Sequence, residues 1–508
     1  MQEEKLHTLT IAELAQILDA QKIPSSNDKA KDESTVISSV AYRSDEVTED
    51  GIFFAIVGLK SDGHDYAQDA AQRGAAALIT SHEIDDFGVD VYQVKDGRKA
   101  MALGGAAFYG YPAQKLQMIG LTGTNGKTTS VTLAAHLAQF QGKKAGTLGT
   151  LGARFGSVIV ETANTTPESI DIQALLARAV EDELESVAME VSSHALALDR
   201  SYGIPFDIVA FTNLTPEHLD YHKDMQDYFE SKAKLFWDYE VAHRVICIDD
   251  EWGEKLALGC KERGLDYITV GRSHKADVYP QKIELTTHGT NLELHGLDGE
   301  TIHIHVPLIG SFNVQNTLVA AGIAHEMGLS SQEVAEALET IPQVPGRLER
   351  VGKEYAEAVY VDYAHTQDAL EKAMQAVRET EPKRLIVVFG CGGDRDTTKR
   401  IPMGKTAAHA EVAVCTSDNP RTEDPQAIID QISIGLNSEA KLTGAELHYE
   451  VDRKKAIELA VKLAQPGDAV LIAGKGHEDY QILGTTKHHL DDREEAFKAL
   501  EKHGSLRA

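Results

Sequence analysis

A chain of 508 residues is too long for one hydrophobic core, so two to four domains are expected. Its 42% hydrophobic and 25% charged residues are the proportions of a water-soluble globular protein. Its net charge of −29 excludes nucleic acid as a partner, because a phosphate backbone demands a basic face. An anionic substrate must then be held by a few local cations and bound metal against a negative field, which makes lysines and arginines beside glycine turns informative.

The opening MQEEKLHTLTIAELAQILDA alternates charged and apolar residues, unlike a signal peptide. No run elsewhere reaches the roughly 20 apolar residues of a membrane span, so a cytoplasmic protein without membrane contact is expected. PSSNDKAKDEST (24–35) reads as a loop. GIFFAIVG (51–58) predicts a strand, DYAQDAAQRG (65–74) a helix ending on glycine, and AAALIT (75–80) a strand, a small α/β domain assigned to 1–114. A second domain, 115–345, begins KLQMIGLTGTNGKTT: a strand over 115–122, a glycine turn, then a helix with Leu133, Leu137 and Phe140 at helical spacing. Apolar segments at 186–191, 206–213 and 243–249, separated by helical stretches, predict a parallel sheet, whereas 278–306 alternates as an antiparallel hairpin set would. From 346 to 508 the pattern restarts with strands at 384–390, 411–416 and 468–473 and a helix at 452–464. The expected fold is α/β: three domains in series, the central one a P-loop ATPase domain with a parallel sheet, the last Rossmann-like. Cys247, Cys260, Cys391 and Cys415 form no CxxC pair and read as buried reduced thiols.

The strongest chemical signal is the loop Gly123, Thr124, Asn125, Gly126, Lys127, Thr128, Thr129. Its glycines let backbone N–H groups turn toward phosphate at a helix N-terminus, Lys127 reaches the β- and γ-phosphates, and the Thr128 hydroxyl suits Mg²⁺. One departure stands out: the usual spacing asks for glycine where this chain has Leu121. The loop alone does not separate a kinase, a GTPase, a motor and a ligase.

Other residues have two readings each. Glu190 ends an apolar strand, either facing solvent or meeting metal, since a buried lone carboxylate is costly. His218 in TPEHLD is a polar loop residue or a ligand. Asn313 and Asn316 share a helix face, and Asn313 could equally cap that helix. Ser44, between Arg43 and Asp45, could simply make a turn. Arg421 in TSDNPRTEDP is either a solvated loop arginine or a rigid fork for an anion.

Ten segments, in order, resemble the Mur ligase superfamily of ATP-dependent amide-bond synthetases. They are YRSDEV, NTTPES, MEVSSHAL, FTNLTPEHLDYH, SFNVQNTLVAA, PGRLE, VDYAHT, GCGGDRD, DNPR and GKGHEDYQ, besides the variant loop TGTNGKTT itself. MEVSSHAL with HLDYH and DNPR is similar to the branch that adds a diamino acid to a UDP-muramyl dipeptide. The resemblance implies Mg²⁺ ligation by Thr128, Glu190 and His218, together with a CO₂-derived carbamate on Lys232 rather than on nearby Lys234. A carbamate would suit a second Mg²⁺, which wants oxygen ligands and negative charge. It also implies Lys127 and Arg347 as γ-phosphate cations, Lys232 as a third catalytic residue, Asn313 and Asn316 as nucleotide contacts, and Asp362 as a ribose ligand. Ser44, Thr165, Thr166, Ser192 and Arg200 would hold the UDP-muramyl dipeptide. Arg395, Asp418, Asn419, Pro420, Arg421, Gly474 and Glu478 would hold meso-diaminopimelate, with Arg421 selecting its distal carboxylate over the bare end of L-lysine.

The reaction this implies is formation of an acyl phosphate from ATP and the D-glutamyl carboxylate of UDP-MurNAc-L-Ala-D-Glu, then attack by the amine of the diamino acid, in a monomeric enzyme of peptidoglycan synthesis. His194 is a candidate proton acceptor, although a structural role suits it better. Alternatives are the same ligation with L-lysine or another diamino acid, a folylpolyglutamate synthase, and a non-catalytic Mur-like amidotransferase subunit. DNPR, GGDRD and NTTPES argue against the folate enzyme, and the lack of a four-cysteine ribbon argues against the amidotransferase subunit. A GTPase switch lacks its NKxD segment here.

Overall fold

The computed structural model describes residues 8–23, 31–59, 61–85 and 87–506. Most of the loop expected at 24–35, and the first seven residues of the chain, lie outside the described residues. By its internal contacts the chain divides into two units, one of residues 1–277 with 318–329 and one of residues 278–317 with 330–508.

The first unit holds two sheets. The smaller has strand order Gln21–Ile23, Asp90–Gln93, Ala75–Thr80, Gly51–Phe54, Val40–Ala41, all parallel except the first pair. Ala75–Thr80 is buried along its whole length, as a parallel strand covered on both faces must be. The larger has eight strands in the order Ile268–Val270, Val241–Cys247, Phe206–Phe211, Gln117–Thr122, Ser186–Glu190, Ala145–Gly149, Gly152–Phe155, Val158–Val160. Its first six run parallel, and the last two turn back as antiparallel edge strands. The helix Lys127–Phe140 leaves the central strand and buries Leu133 and Leu137. Phe140, expected on that apolar face, is instead 36% exposed, because the helix ends there and its last turn meets solvent.

In the second unit, Tyr279–Thr286, Gly289–Leu297 and Glu300–Val306 form the antiparallel set that the alternation predicted. A six-stranded sheet follows, ordered Glu349–Val351, Ala358–Asp362, Ala469–Ala473, Leu385–Phe389, Val412–Thr416, Glu446–Glu450. Its four central strands are completely buried and rich in valine, isoleucine and leucine, and only the first edge strand is antiparallel. The loops at the C-terminal ends of these strands carry DNPR, GGDRD and GKGHE, where open α/β sheets bind ligands.

All four cysteines are free and buried, and burial pushes the Cys391 thiol up to about 12, so they are packing residues rather than nucleophiles. Among the described residues no helix is long and apolar enough to cross a membrane.

Beneath the ligand loops, Arg453 and Asp492 form a bidentate pair at 2.7 and 2.6 Å with both side chains fully buried. Removing one partner strands the other charge away from water. Arg453→Met is expected to destabilise the second unit by about 3–5 kcal/mol, read from urea unfolding. Unfolding at the wild-type midpoint would show the pair to be dispensable.

Candidate active site

The phosphate loop is built between two adjacent strands of the eight-stranded sheet. Gly123 has φ +147°, and a Cβ there would lie 2.0 Å from Thr212 Oγ1, so only glycine fits. The neighbouring strand end fastens the loop: Thr124 N–H donates to Asn213 O at 2.8 Å, Asn125 N–H to Asn213 Oδ1 at 3.0 Å, and Thr212 Oγ1 to Asn125 O at 2.7 Å. Leu121, the departure from the usual spacing, is still a strand residue, paired with Glu190 on one side and Ala210 on the other and fully buried. The turn starts two residues later, so position 121 has no need of glycine.

Lys127 Nζ donates to the carbonyls of Gly123 and Thr124, at 2.8 Å each, which holds its ammonium over the loop. Thr128 Oγ1 donates to Glu190 Oε1 at 2.9 Å. Glu190 is only 2% exposed and also accepts from Thr150 N–H (2.9 Å) and Thr150 Oγ1 (3.2 Å). Between its two readings, the structure gives the buried one: a carboxylate beside the hydroxyl of the phosphate loop. A hydroxyl and a carboxylate oxygen are the hard donors Mg²⁺ takes, so this pair fits the ion.

Lys232 faces the same loop. It is 2% exposed, donates to Gly123 O at 2.8 Å, and lies 4.7 Å from the Tyr228 ring centre. Burial, then the nearby Lys127 ammonium, pushes its pKa well below that of an ordinary lysine. Lys234 lies on the half-exposed outer face of the same helix. His218 has φ +56° and an exposed ring, 4.9 Å from that of His194. An ammonium is no ligand for Mg²⁺, so a second ion at His218 and Lys232 fits only if Lys232 carries an anionic adduct. His194 is driven down to about 4 by burial and by His218 and His222, so it is neutral at physiological pH.

The smaller sheet contributes a second region. A cavity of about 530 Å³ is lined by Tyr42, Ser44, Arg98, Glu168, Leu198 and Arg200, among others. Glu168 is clamped between Arg98 (3.3 Å) and Arg200 (3.0 Å), and Arg200 donates to Thr166 O at 3.0 Å. Thr166 Oγ1 in turn donates to Glu190 O at 2.9 Å and accepts from Ser192 N–H at 3.1 Å, while the Thr165 and Thr150 hydroxyls lie 3.2 Å apart. Ser44 and Arg200 thus line the cavity, Arg200 reaches Thr166, and Thr166 bonds Ser192 and the Glu190 backbone, while Thr165 lies beside Thr150, a donor to the Glu190 carboxylate.

In the second unit Asn313 and Asn316 are both buried, with Asn313 Nδ2 donating to Ile309 O (2.8 Å) and Asn316 Nδ2 to Asn313 Oδ1 (2.9 Å). Asp362, whose pKa burial raises, accepts from the N–H groups of Leu348 and Ala364 at 2.8 Å each. It therefore fixes the turn that carries Arg347, whose guanidinium lies 5.4 Å from the Tyr363 ring centre. Each carboxylate oxygen keeps a second lone pair for a hydroxyl.

DNPR and GKGHE meet. Arg421 sits in the left-handed region, φ +52°, with its N–H on Ile482 O (3.1 Å) and its carbonyl accepting from Gly484 N–H (2.8 Å). Its Nη1 donates to Gly393 O at 2.8 Å, and Thr422 Oγ1 bonds Asp394 at 2.9 Å, so the GGDRD and DNPR loops brace each other. Asn419 bonds Glu478 at 3.0 Å, and Gly474 N–H donates to Asp362 O at 3.0 Å. Asp418 is buried, which alone would raise its pKa, but Lys475 and Arg453 hold it below the usual carboxylate value. Pro420 is buried in the same loop, whereas the Arg395 side chain is exposed, with Nη1 3.5 Å from Asp394 O. Sequence reasoning missed Thr150, Asn213, Arg98, Glu168, Thr422 and Lys475. Of these, Asn213, Glu168, Thr422 and Lys475 stood inside quoted segments, and Thr150 and Arg98 carry no local signal.

A strand–glycine loop–helix with a buried carboxylate and lysine at the ends of a parallel sheet defines a P-loop nucleotide enzyme. Family models match residues 36–109 (Mur ligase family, catalytic domain), 121–324 (Mur ligase middle domain) and 346–476 (Mur ligase, glutamate ligase domain). Relatives named UDP-N-acetylmuramoyl-L-alanyl-D-glutamate--2,6-diaminopimelate ligase include one from Geobacter metallireducens, 43% identical, covering 90% of this chain and 94% of the relative. Another, from Alkaliphilus oremlandii, is 39% identical, covering 92% and 96%. A solved structure of a ligase of that name is 30% identical, with TM-score 0.72 over 98% of this chain and 99% of the other. The MurF ligase of Thermotoga maritima solved with ADP shares the fold, at 16% identity and TM-score 0.54 over 92% of this chain and 97% of the other. The chain belongs to the Mur ligase family, three α/β domains in series, and is an ATP-dependent ligase.

A Cβ on Gly149 would lie 2.4 Å from Glu190 Oε1. Gly149→Ala is therefore expected to displace the carboxylate and weaken Mg²⁺-dependent ATP binding at least tenfold, with the Mg²⁺-independent component unchanged, by fluorescence titration. Wild-type affinity would contradict the placement of Glu190 at the metal.

Proposed function

We propose that the enzyme joins meso-2,6-diaminopimelate to the D-glutamyl carboxylate of UDP-MurNAc-L-Ala-D-Glu, using ATP, in the cytoplasm and as a monomer. In this reading residues 1–114 bind the UDP portion, 115–345 bind ATP, and 346–508 bind the incoming amino acid. The observation that carries it is the DNPR loop. A guanidinium, an amide and a carboxylate (Arg421, Asn419 and Glu478) stand together at the sheet's ligand-binding end. That set suits an amino acid with a second carboxylate and ammonium at its far end, and relatives of 39–43% identity carry that substrate in their names.

The chemistry follows from the residues. The cavity holding Ser44, Arg98 and Arg200 takes the anionic nucleotide-sugar, and the Thr165, Thr166 and Ser192 line directs the peptide toward the phosphate loop. Loop N–H groups and Lys127 hold the β- and γ-phosphates of ATP and offset charge as the phosphoryl group moves to the D-glutamyl carboxylate oxygen. Asn313, Asn316 and Asp362 are assigned to the nucleoside, and Arg347 to the γ-phosphate. Thr128, Glu190, His218 and carbamylated Lys232 would hold Mg²⁺, which supplies further neutralisation of phosphate charge. The low proton affinity of Lys232 supports the carbamate, because only a neutral amine adds to CO₂. Arg421 and Asn419 hold the distal carboxylate of the amino acid, Gly474 O and Glu478 its distal ammonium, and Arg395 its other carboxylate. The free amine then attacks the acyl carbonyl and phosphate leaves.

Phosphate release with ATP, Mg²⁺ and UDP-MurNAc-L-Ala-D-Glu is expected with meso-diaminopimelate and not with L-lysine or L-ornithine. Arg421→Ala is expected to raise the KM for diaminopimelate at least tenfold and leave that for ATP within twofold. Turnover with lysine would overturn the substrate, and turnover with none of the three would overturn the ligation itself. For Lys232, a ¹³C-carbamate signal in ¹³C-bicarbonate that disappears in Lys232→Ala is expected. An identical spectrum for both proteins would remove the carbamate.

A further inference from the structure

Lys475 has no role in the reading above, yet it is the most completely buried lysine of the second unit, at 0% exposure. Its Nζ donates to Asn419 Oδ1 at 3.0 Å and reaches Glu478 Oε2 at 3.3 Å. Ile482 N–H donates to the same Asn419 Oδ1, also at 3.0 Å. Both donors are obligatory, since neither an ammonium nor a backbone N–H can accept, so the amide orientation is fixed by chemistry. Oxygen faces Lys475 and Ile482, and Nδ2 faces Glu478 at 3.0 Å. With both lone pairs of Oδ1 engaged, Asn419 can offer a ligand only an N–H.

The charges around it point the same way. Arg453 and Lys475 are the two buried cations, against the carboxylates of Asp418, Asp492 and Glu478. With Arg453 paired to Asp492 and Lys475 to Glu478, the cluster still carries one excess negative charge, which suits the ammonium the proposed substrate brings. Arg421, across the loop from Asn419, also presents only donors.

We propose that Lys475 is a positioning residue that locks Asn419 as a donor and thereby makes the distal subsite select an ionised carboxylate over a carboxamide. This rests on the diaminopimelate reading. A carboxylate gives acceptor oxygens to Arg421 and to Asn419 Nδ2. A carboxamide must turn its own N–H₂ toward one of those donors, leaving buried N–H groups facing each other, which gives large discrimination ratios. Without the Lys475 ammonium only the Ile482 N–H still holds Asn419 Oδ1, so the donor orientation of the amide is held less tightly and a carboxamide is rejected less strongly.

The test is the ratio of kcat/KM for meso-diaminopimelate to that for its distal monoamide, measured on wild type, Lys475→Met and Lys475→Arg. Wild type is expected to favour the free acid at least a hundredfold, Lys475→Met to narrow that ratio at least tenfold, and Lys475→Arg to restore most of it. General damage to the fold would lower both rates together and leave the ratio unmoved, so an unchanged ratio in Lys475→Met overturns the proposal. So does a wild type that prefers the monoamide. If Lys475→Met does not fold, the isosteric Asn419→Asp, which replaces the donor with an acceptor beside Lys475, is expected to shift preference toward the monoamide; no shift overturns the proposal. Failure of wild type with both compounds but turnover with lysine would instead overturn the diaminopimelate reading.

Discussion

Everything at the phosphate end of the molecule depends on one buried carboxylate. Glu190 ends a parallel strand next to the strand that feeds the phosphate loop, and a lone carboxylate there would cost several kcal/mol of desolvation. It persists because Thr128 and Thr150 donate to it. Those bonds tie the loop's helix and the end of the next strand to a single point. The tie runs through Thr166, which bonds the Glu190 backbone and, through its own carbonyl, Arg200 in the cavity. The cavity and the carboxylate beside the phosphate loop are in this way parts of one hydrogen-bond system.

Charge is handled differently in the two units. Around the phosphate loop two lysines, Lys127 and Lys232, both turn their ammonium groups to the Gly123 carbonyl. Burial first, and then repulsion between two cations that share one acceptor, make Lys232 hold its proton weakly. In the second unit charges are instead paired: Arg453 with Asp492, Lys475 with Glu478, and Arg400 with Glu423 at 2.9 Å. The first arrangement suits anionic phosphates in a strongly acidic protein. The second makes a rigid frame for reading the polarity of a small ligand.

Local pattern carried much of this. The parallel strands were legible because they are continuous apolar runs, and the phosphate loop because its glycines and lysine have fixed spacing. Leu121 looked anomalous only because spacing rules count residues, whereas the structure shows the strand extending through that position. Periodicity placed Lys232 and Lys234 on one helix without saying which face met the loop, and tertiary packing separates them. Arg98 and Glu168, the second of them inside NTTPES, lie 70 residues apart and acquire meaning only when paired. Lys475 sat within a quoted motif, but a lysine in a sequence says nothing of being buried. Arg395, singled out by likeness, lies exposed within GGDRD, and that loop meets the DNPR segment through Gly393 and Asp394.

The central claim is that this geometry drives phosphoryl transfer onto a carboxylate oxygen rather than hydrolysis of ATP by water. It is tested most directly by labelling the D-glutamyl carboxylate of UDP-MurNAc-L-Ala-D-Glu with ¹⁸O and following the label through one turnover with ATP and meso-diaminopimelate. One labelled oxygen is expected in each inorganic phosphate released, matched by its loss from the amide product, by mass spectrometry. Phosphate free of label, with both labelled oxygens still on the unreacted peptide, would contradict it.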